Sequence, residues 1–167
     1  MTWVNSDGLT VRFGLEQAAP GLTGKVSTAG EMQQLVVTIN GVDVPATDAP
    51  VSIYTGIPQN TIIVSAELYV TTAFVGVNAT LDVGLMSDDG DGTYTTLDDD
   101  GLIAQLATTG MDTLNGADDY QTGSGALVGT RPTAVAGGRD FLVSYGYNTA
   151  AFTAGVAQLV ITYKKTA

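Results

Sequence analysis

Residues 57–102, IPQNTIIVSAELYVTTAFVGVNATLDVGLMSDDGDGTYTTLDDDGL, constrain the fold of this chain more than any other stretch. A proline-marked turn opens the segment, and apolar and polar residues then alternate. Ile62, Val64, Ala66, Leu68, Val70 and Phe74 fall on one side, and Ser65, Glu67 and Thr71 on the other. A period of two sorts residues this way and a helical period does not, so a long strand is predicted. Beyond a turn at Gly76 the alternation resumes, with Ala79, Leu81, Val83 and Leu85 facing inward and Thr80 and Asp82 outward. The pattern then dissolves into an acidic loop spaced by glycines. Two long strands feeding such a loop suit a rigid binding scaffold better than a reaction centre.

The rest of the chain reads in the same register. MQQLVVTINGVDVPA carries Asn40-Gly41, a pair suited to a type I′ turn. A two-residue hairpin there sets Ile39 opposite Val42 and Val37 opposite Val44, all on one face. A short strand is expected at VSIY after Pro50. Residues 101–109, GLIAQLATT, suit a short helix with Leu102, Ile103 and Leu106 as its apolar face. Residues 111–138 read as long loops with one short strand at ALVG. Two strands close the chain: DFLVSYGYN, with Phe141, Val143, Tyr145 and Tyr147 together, and GVAQLVITYKK, with Ala157, Leu159, Ile161 and Tyr163 together.

Near the start, TWVNSDGLTVRFGLEQAAPGLTGK has one strand signal, LTVRF, before an Ala/Pro/Gly-rich connection. Residues 1–30 are therefore expected to form an N-terminal arm and connection, and residues 31–167 a single domain. Six to eight strands separated by turn signals predict an all-β fold, an antiparallel β-sandwich of jelly-roll type. The length suits one domain with a core of its own, without disulfides or metals.

Charge and composition narrow the function. Seventeen acidic residues against six basic ones leave a net charge of −11. Such a chain repels phosphate backbones and anionic lipid, so neither nucleic acid nor membrane is expected as a partner. No apolar run approaches the roughly 20 residues that span a bilayer. The opening MTWVNSDG shows no secretory signal, which points to synthesis in a cytoplasm. The sequon Asn78-Ala79-Thr80 carries no weight without such a signal.

With no histidine and no cysteine, histidine-based triads, cysteine nucleophiles and His/Cys zinc sites are excluded. GSGALVG at 123–129 lacks the lysine of a phosphate-cradling loop and reads as a flexible loop. Glycosidase chemistry needs only two acids, but nothing raises one of Glu16, Glu31 and Glu67 above a solvated surface role. No enzyme activity, catalytic residue or cofactor is expected. The acidic loop is the remaining candidate site, because its aspartates are hard oxygen ligands suited to calcium. With Ser87 first in a twelve-residue calcium loop, Gly92 falls at the turn and Asp98 at the end, making Asp89, Asp91 and Asp98 the metal candidates. The competing reading is a solvated turn in which Asp and Gly serve backbone geometry.

From Ile57 onward the chain resembles a broad group of tailed-bacteriophage virion proteins. The resemblance rests on Ile57-Pro58, the strand at 62–74, the TLDVG at 80–84, Asp100-Gly101-Leu102 and the closing strand at 154–163. TWVNSDGLTVRFG likewise resembles the start of phage head proteins. The resemblance implies a capsid decoration, or cement, protein: an oligomer, expected to be a homotrimer, that sits on the capsid exterior and clamps major capsid protein subunits together. It implies a virion location after assembly in the host cytoplasm, and no catalytic residues. Trp3, Arg12 and Phe13 in the arm are the residue types expected at a capsid contact, although Trp3 could equally pack on its own domain. The alternatives are a β-sandwich glycan-binding module, with or without calcium, using Tyr94 and Tyr120, and a fibre or tail component of the virion.

Overall fold

The computed structural model describes residues 2–4, 10–12, 15–17, 25–27, 32–51, 56–107, 114, 116–117, 119–133 and 139–166. The chain divides into two compact units, Met1–Gln33 and Gln34–Ala167. The first contains two small antiparallel pairs: β1 (Thr2–Val4) with β2 (Thr10–Arg12), and β3 (Leu15–Gln17) with β4 (Lys25–Ser27).

The second unit is an all-β sandwich with no α-helix among the described residues. Its strands are β5 (Met32–Asn40), β6 (Ala49–Pro50), β7 (Gly56–Ile57), β8 (Thr61–Val75), β9 (Thr80–Asp88), β10 (Tyr94–Ala107), β11 (Tyr120–Thr122), β12 (Phe141–Asn148) and β13 (Ala154–Lys165). One sheet runs β10-β9-β12-β6, with β7 also on β12; the other runs β11-β8-β13-β5. With β6 and β7 taken as one interrupted strand, first pairs with last, second with seventh, third with sixth and fourth with fifth.

The alternating residues of the two sheets meet in one core. Ala66, Leu68, Val70 and Phe74 of β8 and Ala157, Leu159, Ile161 and Tyr163 of β13 pack there with residues of the other sheet. That sheet contributes Leu81, Val83 and Leu85 from β9, and Phe141 and Val143 from β12. Each large aliphatic side chain so buried stabilises by roughly 1.5–3 kcal/mol. Phe74 and Phe152 meet edge to face at 5.2 Å, the arrangement their quadrupoles favour. The strands read as alternating at 62–74, 79–85, 141–147 and 157–163 are all present.

Several local expectations are corrected. Asn40-Gly41 does not turn a hairpin, because β5 pairs with β13 and residues 41–43 form a 3₁₀ turn. Asn40 has φ −97°, so the positive φ of a type I′ turn is absent. Gly41 serves packing instead: a Cβ there would lie 2.7 Å from the Ala154 carbonyl oxygen and 3.1 Å from the Phe74 ring. Val44 is accordingly buried while Val42 is exposed.

Residues 101–107 are extended, not helical. Ile103 pairs with Val83 and Leu106 with Leu81, so tertiary pairing overrides a pattern that locally suits a helix. Alternation in β8 also slips at Val64. Thr162 pairs with Ser65 but Tyr163 with Ile63, leaving Val64 as the extra residue of a bulge. Ile63 therefore takes the inward position and Val64 is 42% exposed.

The strand expected at ALVG is a turn, and the strand in that region is β11. Nor is GSGALVG a loose loop. Gly123 N donates to the Ala66 carbonyl and Gly129 N to the Ile63 carbonyl, while Leu127 N donates to the Gly101 carbonyl. This connection ties β8 of one sheet to β10 of the other. Of VSIY, Val51 lies in a bend and Ser52, Ile53 and Tyr54 lie outside the described residues.

Candidate functional site

The acidic segment separates into two groups with different work. Residues 89–93 are the turn between β9 and β10, closed by Asp89 N donating to the Thr93 carbonyl at 3.1 Å. Its aspartates hold the backbone. Asp88 Oδ1 accepts from Gly90 N at 2.8 Å, and Asp91 Oδ1 from Thr93 N at 2.9 Å and Thr93 Oγ1 at 2.5 Å. Asp89 Oδ2 accepts from Thr95 Oγ1 at 2.7 Å. The Thr93 hydroxyl and then its N–H hold the Asp91 carboxyl below its ordinary pKa of 3.8. Gly90 and Gly92 take φ of +86° and +91°, the left-handed conformation that such a turn requires. Ser87, the expected first ligand, is buried opposite Thr95 and Phe141. Asp98, the expected last one, stands in β10 opposite Leu85. The structure thus brings Asp89 and Asp91 together around Thr93 and places Asp98 elsewhere.

Asp98 belongs to a second group, with Asp99 and Asp100 in the irregular part of β10, whose backbone covers the outer face of the five-stranded sheet at Gly84. Its carboxylate, with those of Asp99 and Asp100, forms a cluster with oxygens within 4.8 Å of one another. The β10 register is irregular between Asp98 and Ile103, so this stretch departs from regular strand pairing. It comes down on β9 at Gly84, where a Cβ would collide with the Asp98 carbonyl oxygen and lie 2.6 Å from the Asp99 carbonyl carbon. Gly146 of β12 plays the same part for Asp48, whose carboxylate occupies the space of a side chain there.

Asp82 lies on this face as well, opposite Gly146. The alternation placed it outward, on this face, and here it is only 5% exposed. Gln105 Nε2 donates to its Oδ1 at 3.0 Å and Asn148 Nδ2 to its Oδ2 at 2.5 Å. Burial pushes the Asp82 carboxyl above its ordinary pKa, with Asp99 and Asp100 adding to the effect. Burial and then Asp99 and Asp82 raise Asp48 likewise, and burial and Asp100 raise Asp98. Sequence reasoning missed Asp48, Asp82 and Ser144 as neighbours. The available signal was Gly84 and Gly146, two small residues breaking the outer faces of adjacent strands.

The other expected contacts are dispersed. Trp3 stands in β1 opposite Val11, Arg12 ends β2 opposite Thr2, and Phe13 lies outside the described residues. Tyr94 and Tyr120 begin strands rather than sit in loops. Tyr120 is exposed on the outer face of the four-stranded sheet, its ring 4.8 Å from that of Tyr69. Glu67, also on that face, accepts from the Tyr69 hydroxyl at 3.5 Å. Val42, Val75 and Val77 are 64%, 54% and 79% exposed. Ala154 pairs with Val75, and its carbonyl lies against Gly41, the neighbour of Val42 in sequence.

No family model and no curated protein matches this chain. Solved structures of similar fold include a chain of the capsid of Ralstonia phage GP4, 19% identical, with a TM-score of 0.51 over 87% of this chain and 92% of that one. A chain of the cyanophage Pam1 capsid asymmetric unit is 16% identical, with a TM-score of 0.45 over 90% of this chain and 94% of that one. The first of these likenesses is one of fold, and it runs through nearly the whole length of both chains.

Proposed function

We propose that this chain is a structural virion protein of a tailed phage. On this reading it is a decoration protein that binds the capsid exterior as an oligomer, a homotrimer, and stabilises the major capsid protein shell. The observation that carries the reading is the end-to-end likeness of fold to a Ralstonia phage GP4 capsid chain. The strand order supports a jelly roll: pairing of first with last through to fourth with fifth is what a long hairpin wrapped into two sheets produces. Assembly takes place in the host cytoplasm, where the net charge of −11 keeps free copies apart until specific apolar contact is made.

Two surfaces are suited to that contact. The arm, residues 1–30, carries Trp3, Arg12 and Phe13, and the exposed Val42, Val75 and Val77 offer apolar area that water does not reward. Association buries such area between subunits already related by symmetry.

The test is co-sedimentation with capsids assembled without the protein. Full-length chain is expected to pellet with capsids and to raise their disassembly temperature, and a chain lacking residues 1–30 to stay in the supernatant while keeping its β circular dichroism. Failure of the full-length chain to pellet sinks the capsid reading. Pelleting of the truncated chain sinks the arm's part in it. The exposed Tyr69–Tyr120 pair beside Glu67 favours the glycan-binding module as second reading, and retention on a glycan array without capsid binding would establish that instead.

A further inference from the structure

The outer face of the five-stranded sheet holds an arrangement that surface acidity does not explain. On this face β9 presents Asp82, Gly84 and Met86, opposite Gly146, Ser144 and Leu142 of β12. Side chains two residues apart point to one side of a strand, so Ser144 stands between Gly84 and Gly146 beneath the segment that covers them. The Asp98 carbonyl and the Asp99 backbone lie over Gly84, and the Asp48 carboxylate over Gly146. Ser144 is 0% exposed, and its Oγ has no hydrogen-bond partner among the described residues. A buried hydroxyl left without a partner requires an explanation.

The charges require one too. The carboxylates of Asp98, Asp99 and Asp100 lie within 4.8 Å of one another, Asp48 and Asp82 stand beside and opposite Gly146, and the charges that act on Asp48 and Asp82 are those of other aspartates, Asp99 acting on both. Each Asp82 oxygen has one amide donor, which leaves acceptor capacity on an ionised carboxylate. Carboxylates, a main-chain carbonyl and a hydroxyl form an all-oxygen donor set, without nitrogen or sulfur. Hard cations with six to eight oxygen ligands and tolerant geometry, of which calcium is the type, take such a set.

We propose that this face binds a calcium ion through the Asp98, Asp99 and Asp100 carboxylates with Asp48 and Asp82, and that the Ser144 hydroxyl completes the site from below. The cation enters from the side of Asp99, which is exposed, and pins the irregular part of β10 to the sheet. The site is distinct from the β9–β10 turn, where Asp88 and Asp91 are engaged with Thr93 and the backbone and Asp89 Oδ2 with Thr95, Asp89 Oδ1 alone being buried without a partner. It does not depend on the capsid reading.

The experiment uses full-length protein stripped with chelator, then titrated with calcium chloride by calorimetry, with thermal unfolding followed in parallel. One binding event and a rise in the unfolding temperature are expected. The double variant Asp99→Asn/Asp100→Asn, altered where folding does not depend on burial, is expected to lose both. Asp91→Asn is expected to keep both. Ser144→Ala is expected to fold and to bind about tenfold more weakly or worse. No heat and no temperature shift in the unaltered protein would overturn the proposal. So would binding that survives the double variant, or binding that Asp91→Asn abolishes, since that would put the ion in the turn. Unchanged affinity in Ser144→Ala would remove the hydroxyl from the site.

Discussion

Asp82 and Asp91 stand a few residues apart in sequence and respond to their surroundings in opposite directions. Asp82 is buried beside other acids, so its carboxyl is harder to ionise in the folded chain than in the unfolded one. Asp91 is fully exposed, but Thr93 donates to it twice and stabilises the anion. The signs in pH follow from linkage. For Asp82, Asp48 and Asp98 the folded state binds the proton more tightly, so stability falls as pH rises from 3.8 through the raised folded values. For Asp91 the stabilisation is present above 3.8 and lost as pH falls below it through the lowered value. In chelating buffer the unfolding temperature is therefore expected to rise as pH drops from neutral toward the region just above 3.8. Asp82→Asn should flatten that rise, and Asp91→Asn should leave it intact; thermal melts across a pH series check both.

At the level of the strands, bulges decide which side chains reach the core. In β8 the extra residue at Val64 shifts the phase, so that Thr61 and Ile63 face inward before the bulge and Ala66, Leu68 and Val70 after it. Ile63→Ala is expected to cost about 2–5 kcal/mol, from lost transfer energy and the cavity left behind. Val64→Ala is expected to cost about 0.5 kcal/mol or less, as a surface change. Denaturant melts of the two variants measure this, and equal losses would place the bulge elsewhere. In β10 the irregularity has a larger consequence, since it lays Asp98 and Asp99 over Gly84 and gives β9 seven consecutive buried residues. A central strand covered on both faces is thereby obtained in an antiparallel sheet, where one solvated face is common.

The whole molecule joins two sheets whose strands pair across long sequence distances, with the 123–130 connection fastened to both. The capsid reading makes a quantitative demand at this scale. Light scattering after size exclusion is expected to return three times the chain mass of 17.1 kDa. On that reading the trimer is expected to survive a chelator, because it would be held by apolar contact between subunits. A monomer at every concentration would count against the oligomeric decoration protein and turn attention to the Tyr69–Tyr120 surface.

Alternation alone was enough to specify the sandwich and most of its core. Leu68, Leu81, Val143 and Leu159 face inward because a two-residue period leaves an apolar side chain no other covered position. The absence of histidine and cysteine likewise closed off whole classes of chemistry before any fold was known. Features that depend on a distant partner were not legible. Asn40-Gly41 has the residues of a hairpin turn, yet β13 claims β5. GLIAQLA has helical spacing, yet β9 claims it as a strand. Asp82 has an outward position in its strand, yet the amides of Gln105 and Asn148 close on its carboxylate and it is buried. Local preferences differ by about 1 kcal/mol or less per residue, and burial in a two-sheet core outweighs them. The acidic face that joins Asp48, Asp82, Asp98 and Ser144 comes from three separate stretches of chain, so only the closed sandwich could assemble it.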